Sequence, residues 1–171
     1  MKEKSTAGVA ASSPTGETLE AFARIACSSS CESGVDLGES DCCRKVGSIL
    51  VLVDAKAYSV PRQYDRGQYS AIMTRNGYVR DWIAQADRLT DRLAANPVGD
   101  NYDLVALGVT HVLTIVATPY TEYIPERTNP FFLDPQTPRV ALPSEIRDFL
   151  RKTTASELAA NPNTRAVVSN G

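Results

Sequence analysis

The sequence predicts an α/β fold, and three observations support this prediction. Five consecutive aliphatic residues at positions 49–53 form the most apolar run of the chain, which is typical of a strand buried on both faces. Residues 79–93 carry apolar side chains at helical spacing, and residues 109–118 form a second strong strand candidate. A strand, a helix and a strand in this order favour a parallel pair joined by a crossover helix.

The elements before this unit are shorter. Ser13-Pro14 offers an N-cap and a first-turn proline for a helix of about residues 14–26, and a short strand is plausible around residues 35–37. A polar turn at residues 38–41 follows. The strong strand should then run over about residues 46–58, because Pro61 cannot continue it.

The elements after the strand include the long amphipathic helix. Its clear periodicity begins only at Val79, so we expect it to start late or to be broken near Asn76-Gly77, and Asn96-Pro97 ends it. Residues 119–143 hold six of the ten prolines and predict a long loop that could arch over a cleft. A last helix begins at Pro143, and we expect the chain beyond Asn161-Pro162 to be frayed.

Composition indicates one globular domain. A chain of 171 residues with 43% hydrophobic and 22% charged residues can bury a sizeable core. We expect a disordered segment over residues 1–13, a single domain over 14–160 and a tail over 161–171. Apolar runs fall well short of the roughly 20 residues that cross a bilayer, and the first residues lack the apolar core of a signal peptide. A cytoplasmic protein without a membrane partner is therefore expected.

Charge is distributed unevenly along the chain. Residues 44–92 carry 9 basic and 5 acidic side chains, a net charge of +4, whereas both flanking stretches are acidic. A basic strip beside an acidic cluster suits phosphate contact next to a divalent cation, and a solvated helix face of mixed sign would give a similar count.

Two charged residues follow the apolar strand. Asp54 and Lys56 are two residues apart, so they share one side of the pleat, and a further acid, Asp36, lies 18 residues upstream. Hydrolysis of a phosphodiester needs an activated water and stabilisation of phosphoryl charge, both of which Mg²⁺ can supply with two or three carboxylates as protein ligands. Asp36 and Asp54 on adjacent strands would form such a pair, with the Ala55 carbonyl as a further ligand, and Lys56 could orient the water.

These residues resemble the PD-(D/E)-x-K nuclease superfamily, the restriction-endonuclease-like proteins. Gly34-Val35-Asp36 matches the first half of the motif and Asp54-Ala55-Lys56 the second, although no proline precedes Asp36. The closest local likeness is to the FokI-type cleavage domain, over residues 53–59 and the following Gly67-Gln68. The resemblance implies a central mixed β-sheet flanked by helices, in the order αβββαβ.

The resemblance also implies an activity and its residues. It implies a Mg²⁺-dependent DNA endonuclease, with Mn²⁺ as a substitute ion, that ligates metal through Asp36, Asp54 and the Ala55 carbonyl. Lys56 would activate water and Gln68 would have an auxiliary role. Many members add a glutamate from the first helix, for which Glu20 is preferred over Glu17 as both a catalytic residue and a metal ligand. Asp41 is a rival to Asp36 as the first ligand.

The resemblance to nucleases also predicts the partners of the protein. DNA is the expected substrate, and its specificity would come from loops, from a dimer partner or from a larger parent protein. Cleavage of both strands of a duplex would favour a homodimer with one site per strand. Arginines interleaved with tyrosines after the motif could clamp phosphates and stack on bases, with ordinary packing as the alternative. The candidate nucleic-acid contacts are Arg62, Tyr64, Arg66 and Arg75.

The remaining reactive side chains suggest little chemistry. Four cysteines, Cys27, Cys31, Cys42 and Cys43, have an irregular spacing for structural zinc. We expect free thiols, because disulfides are disfavoured in a reducing cytosol, a point that an exported toxin would reopen. The single histidine, His111, is expected to be an interior residue of a strand rather than a catalyst.

Two other functions stay open at this point. A non-catalytic member of the same fold could act as an interaction or assembly module, and an unrelated α/β binding protein is a third option.

Overall fold

The computed structural model describes residues 42–168. In chain order the elements are β1 (Cys42–Val46), β2 (Ile49–Ala55), α1 (Arg62–Asp65), α2 (Tyr69–Ala95), β3 (His111–Ala117), a 3-10 turn (Asn129–Phe131), β4 (Val140–Ala141), α3 (Pro143–Lys152), α4 (Ala155–Ala159) and β5 (Arg165–Ala166). The predicted α/β class is confirmed. The predicted helix over residues 14–26 and the short strand around 35–37 lie outside the described residues.

The described strands form one mixed sheet. β1 and β2 are an antiparallel hairpin, whose turn contains Gly47 at φ 60°, a conformation that glycine adopts without strain. β2 pairs in parallel with β3 over seven residues, from Ile49 opposite His111 to Ala55 opposite Ala117. The far edge of β3 is shared, because β5 pairs antiparallel with its beginning and β4 pairs parallel with its end.

The strand that the sequence analysis placed at residues 46–58 is shorter and has a partner that was missed. The turn at Gly47-Ser48 separates β1 from β2, and β2 ends at Ala55. Cys42–Val46 were not predicted as a strand because their mixture of polar and apolar side chains gives no period-2 signal. Short strands of this kind are defined by pairing rather than by local sequence.

The two faces of the sheet pack against different helices. Ile49, Val51 and Val53 face α3 and α4, where they join a core cluster with Ile146 and Leu158. Leu50 and Leu52 alternate with them and face α2, where they pack with Leu89, Leu93 and Val112. Because side chains alternate along a strand, Asp54 falls on the α2 face.

The long helix α2 is continuous over 27 residues. The expectation of a late start or a break near Asn76-Gly77 is therefore wrong. Its C-terminal part buries the predicted apolar stripe, including Val79, Trp82 and Ile83. This packing supplies most of the stability of the helix. One glycine costs a helix only about 1 kcal/mol, which tertiary contacts of the preceding turn, including the buried Arg75, can offset.

A buried polar cluster fixes the start of the proline-rich segment. Glu122 accepts hydrogen bonds from Arg75 Nε at 2.8 Å and Nη2 at 2.5 Å, and from the Tyr64 hydroxyl at 3.2 Å. The Tyr64 hydroxyl also accepts the Tyr123 amide at 2.7 Å. Burial, together with Glu122, raises the pKa of Tyr64 to about 12. The segment predicted as a loop thus has little regular structure but is firmly attached to α1 and α2.

A second buried charge joins β4 to its neighbours. Arg139 is fully buried and donates from Nε to the Thr114 carbonyl at 2.8 Å, and from Nη1 to Asp87 at 2.6 Å and to the Asn163 side chain at 3.3 Å. Burial lowers the pKa of Arg139, and Asp87 opposes that shift by stabilising the charged form. This one side chain therefore links β3, α2 and the C-terminal segment.

The C-terminal segment is ordered by pairing, so the expectation of a frayed tail after Asn161-Pro162 is wrong within the described residues. Asn163 is buried and donates to the carbonyls of Asn129 and Phe132. β5 follows and hydrogen-bonds to β3. The two-residue strand is too short for a sequence pattern to reveal it.

The cysteine expectation also needs correction. Cys42 and Cys43 are both disulfide-bonded, so they are not the free thiols predicted, and a bonded cysteine is not available as a zinc ligand. Cys27 and Cys31 lie outside the described residues. Disulfides are typical of proteins that fold in oxidising compartments, which speaks against the cytoplasmic expectation. Over residues 42–168, no helix has both the length and the apolar character needed to cross a membrane.

The buried Arg139 network predicts a large stability effect. Arg139→Met should lower the free energy of unfolding by at least about 2 kcal/mol, because the buried Asn163 side chain and the Thr114 carbonyl lose a hydrogen-bond partner and Asp87, which is 35% exposed, loses its ion pair. Arg165→Ala is the matched control, since Arg165 pairs with Asp91 at an exposed position, and it should cost less than about 1 kcal/mol. Chemical denaturation of both variants checks this, and equal losses would contradict it.

The raised pKa of Tyr64 predicts a loss of stability at alkaline pH. Between pH 10 and 12 the unfolded chain ionises this phenol while the folded protein holds it neutral, so stability falls as pH rises. From pH 9 to 11, wild type should lose about 1 kcal/mol more than Tyr64→Phe does. Thermal melts across this range test it. Tyr69→Phe, at an exposed position, should follow wild type, and parallel curves for Tyr64→Phe would refute the assignment.

Candidate functional site

The candidate site lies at the C-terminal end of β2. Asp54 is opposite Val116 in the parallel pair, and the pairing continues one residue past the strand, where the Lys56 amide donates to the Ala117 carbonyl at 2.8 Å. The chain from Asp54 to Lys56 is therefore held extended. This backbone arrangement places both charged side chains on the α2 side of the sheet.

Asp54 and Lys56 form a shielded ion pair. Lys56 Nζ lies 2.8 Å from Asp54 Oδ2, with side-chain exposures of 16% for the lysine and 5% for the aspartate. A carboxylate at this depth loses much of its hydration, and the close ammonium compensates part of that loss. The juxtaposition that the sequence analysis inferred from the spacing of these residues is present.

A third side chain, Gln85 on α2, completes the arrangement. Lys56 Nζ donates to Gln85 Oε1 at 3.0 Å, so the ammonium is held by one charged and one neutral acceptor. Gln85 was not predicted as a site residue, because as a polar side chain it was grouped with the residues of the helix that point away from the core. A signal was present, since Gln85 comes three residues after the buried Trp82 and three-residue neighbours share a helix face.

Gln68, the predicted auxiliary residue, is placed differently. It is the exposed N-cap residue of α2, where its carbonyl accepts the Ile72 amide at 3.0 Å. The glutamine side chain that contacts Lys56 is Gln85.

The candidate nucleic-acid contacts divide into two pairs. Arg62 and Arg66 are exposed on and just after α1. Tyr64 and Arg75 are buried, and both are bound to Glu122. Burial leaves these two side chains almost no surface to present to DNA. Arg62 and Arg66 therefore remain as the candidate nucleic-acid contacts.

Metal-binding capacity in the described part of the chain is limited. Residues 42–168 contain no group of three or more histidine, cysteine or acidic side chains arranged to hold an ion. Asp54 and the Ala55 carbonyl offer oxygen donors, which suit Mg²⁺. The other predicted ligands, Asp36 and Glu20, and the rival Asp41 lie outside the described residues.

His111 is remote from this site. It begins β3 and is half-buried, with Nδ1 2.9 Å from the Thr110 hydroxyl. In the parallel register it lies opposite Ile49, five residues before Asp54, a separation of about 16 Å along a strand. Its location at a strand end differs from the mid-strand position expected, and the distance from Asp54 leaves it outside this site.

The arrangement can do limited but definite chemistry. An ammonium fixed beside a buried carboxylate can stabilise negative charge on a phosphoryl oxygen or orient a water molecule, and its two acceptors keep it from turning away.

No protein-family model matches the chain, and comparisons with curated proteins and with solved structures find no significant match.

Proposed function

We propose that this protein is a metal-dependent endonuclease that hydrolyses phosphodiester bonds of DNA. The observation that carries the proposal is the shielded Asp54–Lys56 pair at the end of a central strand, with Nζ and Oδ2 2.8 Å apart. A carboxylate and an ammonium held together at the end of a strand, facing a helix, are what the second half of the PD-(D/E)-x-K motif requires, which supports the proposal.

The topology supports the same proposal. An antiparallel hairpin, a crossover helix and a strand parallel to the second hairpin strand follow one another in the chain. This order agrees with the latter part of the αβββαβ core. We assign β1 and β2 to the second and third strands of its meander, α2 to its second helix and β3 to its last strand.

The residues would have distinct roles. Asp54 would bind Mg²⁺ through its carboxylate, with the Ala55 carbonyl and Asp36 as further ligands and Glu20 contributing from the first helix. Bound Mg²⁺ would supply charge stabilisation at the phosphoryl group and help to make water nucleophilic. Lys56 would hold the attacking water or a phosphate oxygen in place, and Gln85 would position Lys56. Arg62 and Arg66 would contact backbone phosphates.

Removal of the Asp54 charge should abolish cleavage. Asp54→Asn keeps the shape of the side chain but removes a metal ligand and the partner of Lys56, so we expect cleavage of plasmid DNA in Mg²⁺ to fall by about 100-fold or more. Lys56→Ala should show a similar loss. The measurement is the nicking rate with Mg²⁺ or Mn²⁺, repeated in EDTA.

The controls separate activity from contamination and from unfolding. Asp91→Asn changes an aspartate at an exposed pair on α2 and should cleave like wild type. Equal nicking by wild type and Asp54→Asn would mean that a contaminant is responsible. If the folded wild-type protein cleaves neither single-stranded nor duplex DNA with either metal ion, the non-catalytic interaction module becomes the better reading.

Gln85 should affect turnover without being essential. Gln85→Leu removes the neutral acceptor of Lys56 and leaves Asp54 in place, so we expect kcat to fall by about 3- to 30-fold with little change in KM. Gln136→Leu, at an exposed loop position, is the control and should leave kcat unchanged. An unaltered kcat in Gln85→Leu would show that the 3.0 Å hydrogen bond has no catalytic consequence.

A further inference from the structure

Three aromatic side chains form a partly exposed cluster near the Asp54–Lys56 pair. We call the set Tyr58, Tyr78 and Trp82 the aromatic platform. The Tyr58 ring stacks on Tyr78 with centroids 5.6 Å apart and planes 26° apart, and it lies 5.7 Å from Trp82. Tyr78 and Trp82 are themselves stacked at 6.3 Å.

The three rings of the platform differ in their exposure to solvent. Trp82 is only 5% exposed, whereas Tyr58 and Tyr78 are 52% and 42% exposed. The guanidinium of Arg75 lies 4.9 Å from the Trp82 ring centroid, and Glu122 holds that guanidinium in turn. The buried side of the platform is therefore rigid, while two half-exposed rings present aromatic surface to solvent.

Two independent connections place the platform next to Lys56. Along the chain, Tyr58 follows Lys56 by two residues, a separation of about 7 Å if the backbone stays extended. Along α2, Trp82 precedes Gln85 by three residues, and Gln85 is bonded to Lys56. The cation that would face a phosphate and the rings that would face a base are thus neighbours on one surface.

This surface has the chemistry of a nucleotide site with a particular requirement. An aromatic ring can stack on a nucleobase only if one face of that base is uncovered, which holds for single strands and unpaired bases but not within a duplex. The ammonium of Lys56 complements the charge of an adjoining phosphate, and the exposed Arg62 follows Tyr58 by four residues along the chain. The tyrosine rings give affinity without strong base preference.

From these contacts we infer that the aromatic platform binds an unpaired nucleobase of single-stranded DNA, next to the phosphate that Lys56 contacts. This inference rests on the proposed nuclease function for the identity of the phosphate, but the stacking itself requires no cleavage. It assigns a substrate class to the site, namely single-stranded DNA or a duplex with an unpaired nucleotide.

Binding without cleavage tests the inference directly. A fluorescein-labelled 15-nucleotide oligothymidine is titrated with the protein in EDTA, alongside a duplex of the same length and an abasic oligonucleotide with the same number of phosphates. We expect the oligothymidine to bind at least about tenfold more tightly than either comparison strand. Trp82 is the only tryptophan, so its fluorescence should also change on binding of the oligothymidine.

Variants assign the effect to the platform. Tyr58→Ala should weaken binding of the oligothymidine by about 5- to 100-fold, and Tyr58→Phe should retain most of it because the stacking face remains. Tyr69→Ala removes a more exposed tyrosine at the start of α2 and should have no effect. Unchanged binding by Tyr58→Ala, or equal affinity for the abasic strand or the duplex, would overturn the inference.

The outcomes also separate the two proposals. Tyr58-dependent binding of single strands by a protein that cleaves no DNA would support the aromatic platform as a base-binding site and would overturn the proposed nuclease function. A second outcome is cleavage of DNA that depends on Asp54, with the same cleavage and the same binding in Tyr58→Ala. It would support the proposed nuclease function and overturn the aromatic platform as a base-binding site.

Discussion

The parallel pairing of β2 with β3 is the constraint on which the rest of the structure depends. Parallel strands cannot be joined by a tight turn, so the chain between them must cross one face of the sheet, and α2 makes that crossing. The seven-residue register from Ile49 to Ala55 sets where Asp54 lies along the sheet. The crossing helix then determines which side chains meet it. Candidate site and fold are thus consequences of one topological requirement.

In the described part of the chain, three ion pairs around α2 each have at least one buried partner. Asp54 pairs with Lys56, Glu122 with Arg75, and Arg139 with Asp87, each at 2.8 Å or less between the closest atoms. Helix α2 supplies Arg75, Asp87 and the Gln85 amide to these contacts. Ion pairs with a buried partner add little net stability compared with apolar packing, but they penalise any arrangement that separates the two charges. They therefore favour one position of α2 over the sheet.

The sequence predicts the parts of this structure in which apolar side chains recur regularly, or in which two functional residues lie a fixed number of positions apart on one element. The strand–helix–strand unit and the approach of Lys56 to Asp54 follow from apolar runs and from the two-residue repeat of a strand. The start of α2 does not, because Tyr69–Tyr78 are stabilised by the buried Arg75 pair rather than by an apolar stripe. β1 and β5 were missed because each is a strand only by virtue of its partner. Gln85 was missed because its spacing from Trp82 indicates a shared helix face but not its contact with Lys56, which depends on how the helix crosses the sheet.

The length of α2 has a geometric consequence for whatever reaches the strand ends. Residues 79–93 rise about 22 Å along the helix axis, which matches the roughly 23 Å of a seven-residue strand. Since Val79 and Trp82 pack near Val116 at the end of β3, the ten or so preceding residues continue for about 15 Å beyond the sheet. The start of α2 therefore extends past the strand ends, where Arg75 binds Glu122 and Tyr78 stacks on Tyr58. Because Tyr58 follows β2 and Glu122 follows β3, one helix anchors the loops that leave both central strands.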